Sequence, residues 1–132
     1  MIKIHPMITL PDFSSYEFDC NCGCGLNNMK PVFLWKLQQC RTEAQRPFTV
    51  TSGSRCYEYN RKIGGSSDSD SEHLVGQAAR ILTPNSHIRF RILKAAFSVG
   101  FTRIGIGPDF IHLGDKLSLP QQVVWDYYNK EK

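Results

Sequence analysis

No stretch of this chain approaches the roughly 20 consecutive apolar residues that span a bilayer. A membrane partner is therefore not expected. The opening run Met1-Ile2-Lys3-Ile4-His5-Pro6 lacks an apolar core and a small-residue cleavage site, so a signal peptide is not expected either. No internal repeat and no long linker is visible. No basic helix or zinc-finger spacing occurs, and the Lys and Arg residues are scattered, which argues against nucleic acid as a partner. An even set of cysteines is also missing. The chain has five, at Cys20, Cys22, Cys24, Cys40 and Cys56. An odd count without a signal peptide speaks against an extracellular disulfide framework.

What is present fits one folded domain covering 1–132. The length of 132 residues suffices for one hydrophobic core and not for two. Apolar residues at 41 % and charged residues at 21 % lie in the globular range and exclude a disordered chain. Sixteen Lys and Arg against twelve Asp and Glu give a net charge of +4, which reads as an ordinary solvated surface. Cys20-Asn21-Cys22-Gly23-Cys24 sets three thiols two residues apart. Thiolates are good zinc ligands, and a soft metal there is one reading. The spacing is tighter than that of a zinc knuckle, which favours a tight Gly-containing loop with buried thiols.

Helical periodicity appears twice. Phe33, Leu37, Cys40 and Ala44 share one face of a helix over about 29–45, with Pro31 in its first turn and Pro47 beyond its end. Ile92, Ala96 and Val99 share a face of a second, capped by Asn85 or Ser86 and closed by Gly100. A short helix is expected over 57–63, stopped by Gly64-Gly65. Strands are expected over 48–51, 77–82, 101–107 and 110–113. Short connections between these pieces predict an α+β domain with a small central antiparallel sheet and flanking helices.

His5 and His87 receive no role. His73 and His112 stand in more telling surroundings. Ser71-Glu72-His73-Leu74-Val75-Gly76-Gln77-Ala78-Ala79-Arg80 resembles the pattern S-x-H-x-x-G-x-A-x-D. That is the signature of the zinc D-alanyl-D-alanine carboxypeptidase family, which includes phage endolysin peptidases and D,D-dipeptidases. Thr51–Asn60 with Gly64-Gly65, the loop Cys22-Gly23-Cys24-Gly25-Leu26, and Gly105-Ile106-Gly107 ahead of Phe110-Ile111-His112 resemble the family as well. The resemblance covers roughly residues 8–128. It implies the D-Ala-D-Ala carboxypeptidase (hedgehog/D,D-peptidase) fold, a catalytic zinc and a peptidoglycan peptide as substrate. It also implies His73 and His112 as metal ligands, Arg55 as the arginine that holds the peptide carboxylate, and Ser71 as a hydroxyl lining the site. Such a zinc takes three protein ligands and a water, and a nearby carboxylate works as general base and acid.

The chain departs from the pattern at a decisive place. Arg80 stands where the family has its ligand aspartate. Guanidinium has only donors, stays charged, and cannot ligate zinc. Relatives that read H-x-D in the last strand have their carboxylate two residues after the histidine, whereas Asp115 comes three after His112 and so falls on the other face of a strand. Asp109, three residues before His112, matches another way the family places its general base, and also suits a turn after Pro108. Glu72, Asp68 or Asp70 could be recruited to a metal, without the order of a pre-built site. Zinc is thus a cofactor of a weakened site, or there is none. Arg80 either forms a carboxylate-binding pair with Arg55 or makes an ion pair with Asp115, Glu72 or Asp70. His73, Arg80 and His112 should be exposed together in one cleft. The run 66–72 reads as a solvated loop beside it.

The expectation is a degenerate peptidoglycan D,D-peptidase homologue that recognises cell wall or serves as a structural part of a phage particle. Its partners would be peptidoglycan or its peptides and other virion proteins, and its location the host cytoplasm, the virion, or both. Two alternatives remain open: an active zinc metallopeptidase, and a protein-interaction scaffold that uses Trp125, Tyr127 and Tyr128 as a docking patch.

Overall fold

The computed structural model describes residues 1–5, 8–63 and 71–128. In chain order the elements are β1 (Ile2–His5), β2 (Ile8–Leu10), α1 (Pro31–Ala44), β3 (Val50–Ser52), α2 (Tyr57–Lys62), β4 (Ala78–Leu82), α3 (Ser86–Val99), β5 (Arg103–Ile106), β6 (Phe110–Gly114) and β7 (Val123–Asp126). Two 3-10 turns, Ser15–Phe18 and Glu72–Val75, punctuate the loops.

The helices form where the apolar spacing puts them. α1 starts at Pro31, whose missing N–H costs nothing in a first turn, and buries Phe33, Leu37, Cys40 and Ala44. α3 is capped by the Asn85 side chain, which accepts from Ile88 N at 2.9 Å. It ends on Gly100, at φ 93° in the left-handed region that favours glycine. α1 and α3 pack on each other. Each of their buried Phe, Leu and Ile side chains contributes about 1.5–3 kcal/mol by leaving water.

Five strands form one sheet in the order β3-β4-β6-β5-β7, antiparallel except for the parallel pair β5-β7. Its strands alternate, apart from a register shift in β3 between Val50 and Ser52. Ala79 and Ile81 of β4, Ile104 of β5, and Ile111 and Leu113 of β6 join the helical side chains in the core. The residues between them point to the opposite face. The registers Ser52↔Arg80, Arg80↔His112, His112↔Gly105 and Gly105↔Trp125 then align one residue from each strand in a single row across that second face. Directly paired residues project to the same side of a sheet.

The expected strands all exist, with shifted ends: the first begins at Val50 rather than Phe48, and the third spans Arg103–Ile106. The tail carrying Val123, Val124 and Trp125 is a fifth strand. The hairpin β1-β2 is a separate two-stranded sheet. The expected stop at Gly64-Gly65 and the loop over 66–70 lie outside the described residues.

Candidate functional site

The cross-sheet row carries the site. His112 occupies its centre on β6, with Arg80 beside it on β4. His73 comes from the 3-10 turn after the 64–70 segment and meets His112 edge to face, ring centroids 5.1 Å apart. On the other side of His112 the row has Gly105, and the Trp125 ring leans across that gap to within 5.3 Å of the His112 ring. A Cβ on Gly105 would lie 2.6 Å from Trp125 Nε1, so only glycine leaves room for the ring there.

The two histidines come together as the sequence implies, but they are not exposed. His73 is 2 % exposed and His112 5 %. Gly53 O can only accept, so its 2.8 Å contact fixes the His73 proton on Nδ1 and leaves the lone pair on Nε2. That Nε2 is buried with no hydrogen-bond partner among the described residues. Burial, then the charge of Arg55 and the neighbouring His112, hold His73 well below its ordinary pKa. Burial also lowers His112, although its hydrogen bond to Glu72 opposes the shift.

Glu72 is the residue the sequence undervalues. It is not part of a solvated loop. Its carboxylate is buried and accepts from His112 Nε2 at 2.6 Å, from Arg103 Nε at 2.8 Å and from Lys116 N at 3.1 Å. Burial pushes its pKa up, but the His112, Arg103 and Lys116 contacts outweigh burial and hold it below the ordinary value. Gly114, opposite Arg103 in the β5-β6 ladder, makes room for it, because a Cβ there would collide with the carboxylate. Glu72 next to a site histidine, with a glycine two residues after His112, was the signal available in the sequence. Arg103 and Trp125 had no comparable one.

Arg80 forms none of the expected ion pairs with Asp115 or Glu72. Its guanidinium lies over the Phe110 ring at 4.2 Å and faces the Tyr127 ring at 5.3 Å. Its Nε is buried without a hydrogen-bond partner among the described residues. Asp70, the third expected partner, and Asp68 lie outside the described residues. Arg55 is 1 % exposed. Its Nε donates to Ser52 Oγ at 2.9 Å and its Nη1 to Asn60 Oδ1 at 3.0 Å, while Nη2 has no partner among the described residues. Burial and the adjacent Arg80 charge lower Arg55 to about 10, which leaves it charged at neutral pH. Ser71 Oγ reaches the same Asn60 Oδ1 at 3.4 Å. A groove of about 370 Å³ runs along this side, lined by Ser52, Arg55, Tyr59, Arg80, Asp109 and Phe110 among others.

Asp109 stands on the rim of that groove, exposed, at the turn into β6. Asp115 lies past the end of β6 and accepts from Gln77 Nε2 at 3.2 Å, with burial raising its pKa. Trp125 and Tyr127 are half-buried against His112 and Phe110 rather than standing free as a docking patch.

The Peptidase M15 sequence profile matches residues 11–114. The chain belongs to that family. The crystal structure of the Serratia marcescens L-Ala D-Glu endopeptidase ChiX superposes with a TM-score of 0.49 at 18 % identity, covering 69 % of this chain and 83 % of that one. No curated protein sequence matches the chain.

Among the described residues, the zinc of the family lacks a third ligand at this site. A catalytic zinc needs three protein ligands. Arg80 faces His112 from the position of the missing aspartate, and His112 Nε2 is bonded to Glu72. Among the described residues, the one group of three or more Cys, His, Asp or Glu ligand atoms close enough to share an ion is Cys20, Cys22, Cys24 and Cys56, which includes neither His73 nor His112. Those thiols are not all buried as expected: Cys20 is, whereas Cys22 and Cys24 are exposed.

Proposed function

We propose that this M15 family member binds peptidoglycan peptides without hydrolysing them. The observation that carries this reading is Arg80, paired with His112 across the β4-β6 ladder and clamped over Phe110. A fixed positive charge there opposes a divalent cation and favours an anion. Arg55 adds a second guanidinium on the same groove, and both keep a nitrogen without a partner among the described residues. Planar guanidinium donors suit a carboxylate. The ligand would be a cell-wall stem peptide, held by a free carboxylate. As a part of a phage particle or of a lysing host, such a protein would dock on the wall; this setting rests on the family resemblance.

Binding and metal content test the reading together. Purified wall fragments should retain the wild-type protein and release Arg80→Glu, with no peptide bond cut. His73→Ala should contain as much zinc as the wild type. Hydrolysis of the fragments, or zinc lost selectively from His73→Ala, would overturn it.

A second reading is favoured by one feature. His73 Nε2 has a free lone pair, with Nδ1 held by Gly53 O as a backbone carbonyl holds many metal-bound histidines. An active peptidase with a recruited third ligand would use that atom, and the same His73→Ala comparison decides between the two.

A further inference from the structure

We infer that Cys20, Cys22, Cys24 and Cys56 form a second metal centre: a structural tetrathiolate zinc site, separate from the row of His73 and His112. The four Sγ atoms all lie within 4.8 Å of one another. Cys20 and Cys22 are 3.5 Å apart, and Cys22 and Cys56 are 3.7 Å apart. A tetrahedral zinc with Zn–S of about 2.3 Å requires sulfur atoms about 3.8 Å apart. All four thiols are unlinked. Two of them are exposed, and exposed thiols packed this closely invite oxidation unless an ion holds them as thiolates.

The backbone is shaped for convergence. The loop folds back on itself through Gly23 N to Cys20 O at 3.2 Å and Cys20 N to Leu26 O at 2.9 Å. Gly23 and Gly25 have φ of 86° and 87°, in the left-handed region. A Cβ on either would touch nothing, so these glycines serve the curl of the chain. That curl is how thiols only two residues apart meet at one point. A regular knuckle turn needs a wider spacing, which the two left-handed glycines make unnecessary here. The fourth ligand arrives from far along the chain, at the N-cap of α2.

The surrounding donors suit thiolates as well. Cys20 Sγ accepts from Cys56 N at 3.4 Å, and Cys56 Sγ accepts from Tyr59 N at 3.3 Å. N–H bonds to sulfur stabilise ligand thiolates and orient them. Zinc would bind with release of the thiol protons to water and no change of oxidation state. Because Cys56 follows Arg55, the ion would tie the loop to the backbone that carries the buried groove arginine.

Metal analysis and cobalt substitution test this without relying on activity. Protein purified under reducing conditions should contain about one zinc per chain, retained in His73→Ala and in Cys40→Ala. It should be lost in Cys24→Ser, whose exposed position lets the variant fold, as circular dichroism would verify. Cobalt(II) added to the zinc-stripped wild type should give thiolate charge-transfer bands and the strong visible bands of a tetrahedral site. Three results overturn the proposal: a wild-type cobalt complex without thiolate bands, iron in place of zinc, or two disulfides among these cysteines in freshly isolated protein. The His73→Ala arm keeps this outcome distinct from that of the cleft.

Discussion

Glu72 and His112 share a 2.6 Å hydrogen bond inside the protein, and Arg103 completes the arrangement from the other carboxylate oxygen. The pairing joins the 3-10 turn at Glu72–Val75 to both β5 and β6. It also occupies the imidazole nitrogen that would otherwise be available to a ligand. Removing the carboxylate leaves Arg103 and His112 buried without their acceptor. Glu72→Ala should therefore cost about 3–5 kcal/mol, the range for breaking a buried pair by deleting one member. Urea denaturation checks this, and a loss under about 1 kcal/mol would show that the pair is worth no more than a surface one.

Acid should weaken the fold in two stages. His73 and His112 are held below their ordinary value of 6.5, so the unfolded chain binds protons first as pH falls. Their contribution is complete above about pH 6.5 and shrinks below it. Glu72 is held below its ordinary 4.5, and its contribution is lost as pH falls through that region and beyond. The urea midpoint should drop between pH 7 and pH 5.5, and again below pH 4.5. An unchanged midpoint over the first interval would contradict the burial of the histidine pair.

Gly105→Ala probes the packing of Trp125 on His112. The new Cβ would press on Trp125 and, at 2.9 Å, on Tyr127. Forcing a methyl into such contact costs about 1–3 kcal/mol. Trp125 fluorescence should move toward longer wavelength as the ring lifts from His112. A double comparison with Trp35→Phe isolates that signal, because the chain has two tryptophans.

Arg80 should dominate ligand affinity. A hydrogen bond to a charged group is worth about 1.5–3 kcal/mol, so Arg80→Ala should weaken carboxylate-terminated stem peptides about 10- to 100-fold. Amidation of the peptide C-terminus should weaken wild-type binding by a similar factor and leave Arg80→Ala little affected. Calorimetric titration measures both. Equal affinity for the free acid and the amide would remove the carboxylate from the account.

The parts of this fold that local chemistry controls are legible in the chain. Pro31 and Asn85 announce helix starts, Gly100 announces an end, and the face Phe33-Leu37-Cys40-Ala44 is buried as its period demands. The meeting of His73 and His112 is legible only through the family pattern. Other features depend on partners remote in sequence. β7 is four residues long and half-exposed, and it becomes a strand because β5 offers a free edge. The cover on His112 depends on Trp125 lying over a glycine twenty residues earlier. Of the carboxylates that could pair with Arg80, Arg103 already holds Glu72, Gln77 bonds Asp115, and Asp70 lies outside the described residues; aromatic rings face the guanidinium. The convergence of four thiols rests on two left-handed glycines and on Cys56, neither of which a spacing rule weighs.

The row Ser52-Arg80-His112-Gly105-Trp125 takes one residue from each of five strands whose order in space differs from their order in the chain. Pairings between distant segments close large loops and form late. A slip of one residue in any strand would turn its member of the row toward the helices. During synthesis, Ser52 and Arg80 emerge long before Trp125, so the row stays incomplete until residues 123–126 have left the ribosome. The packing of Trp125 on His112 would then report whether the whole sheet has locked into register, which makes the fluorescence of that ring a sensitive assay of folding fidelity for this chain.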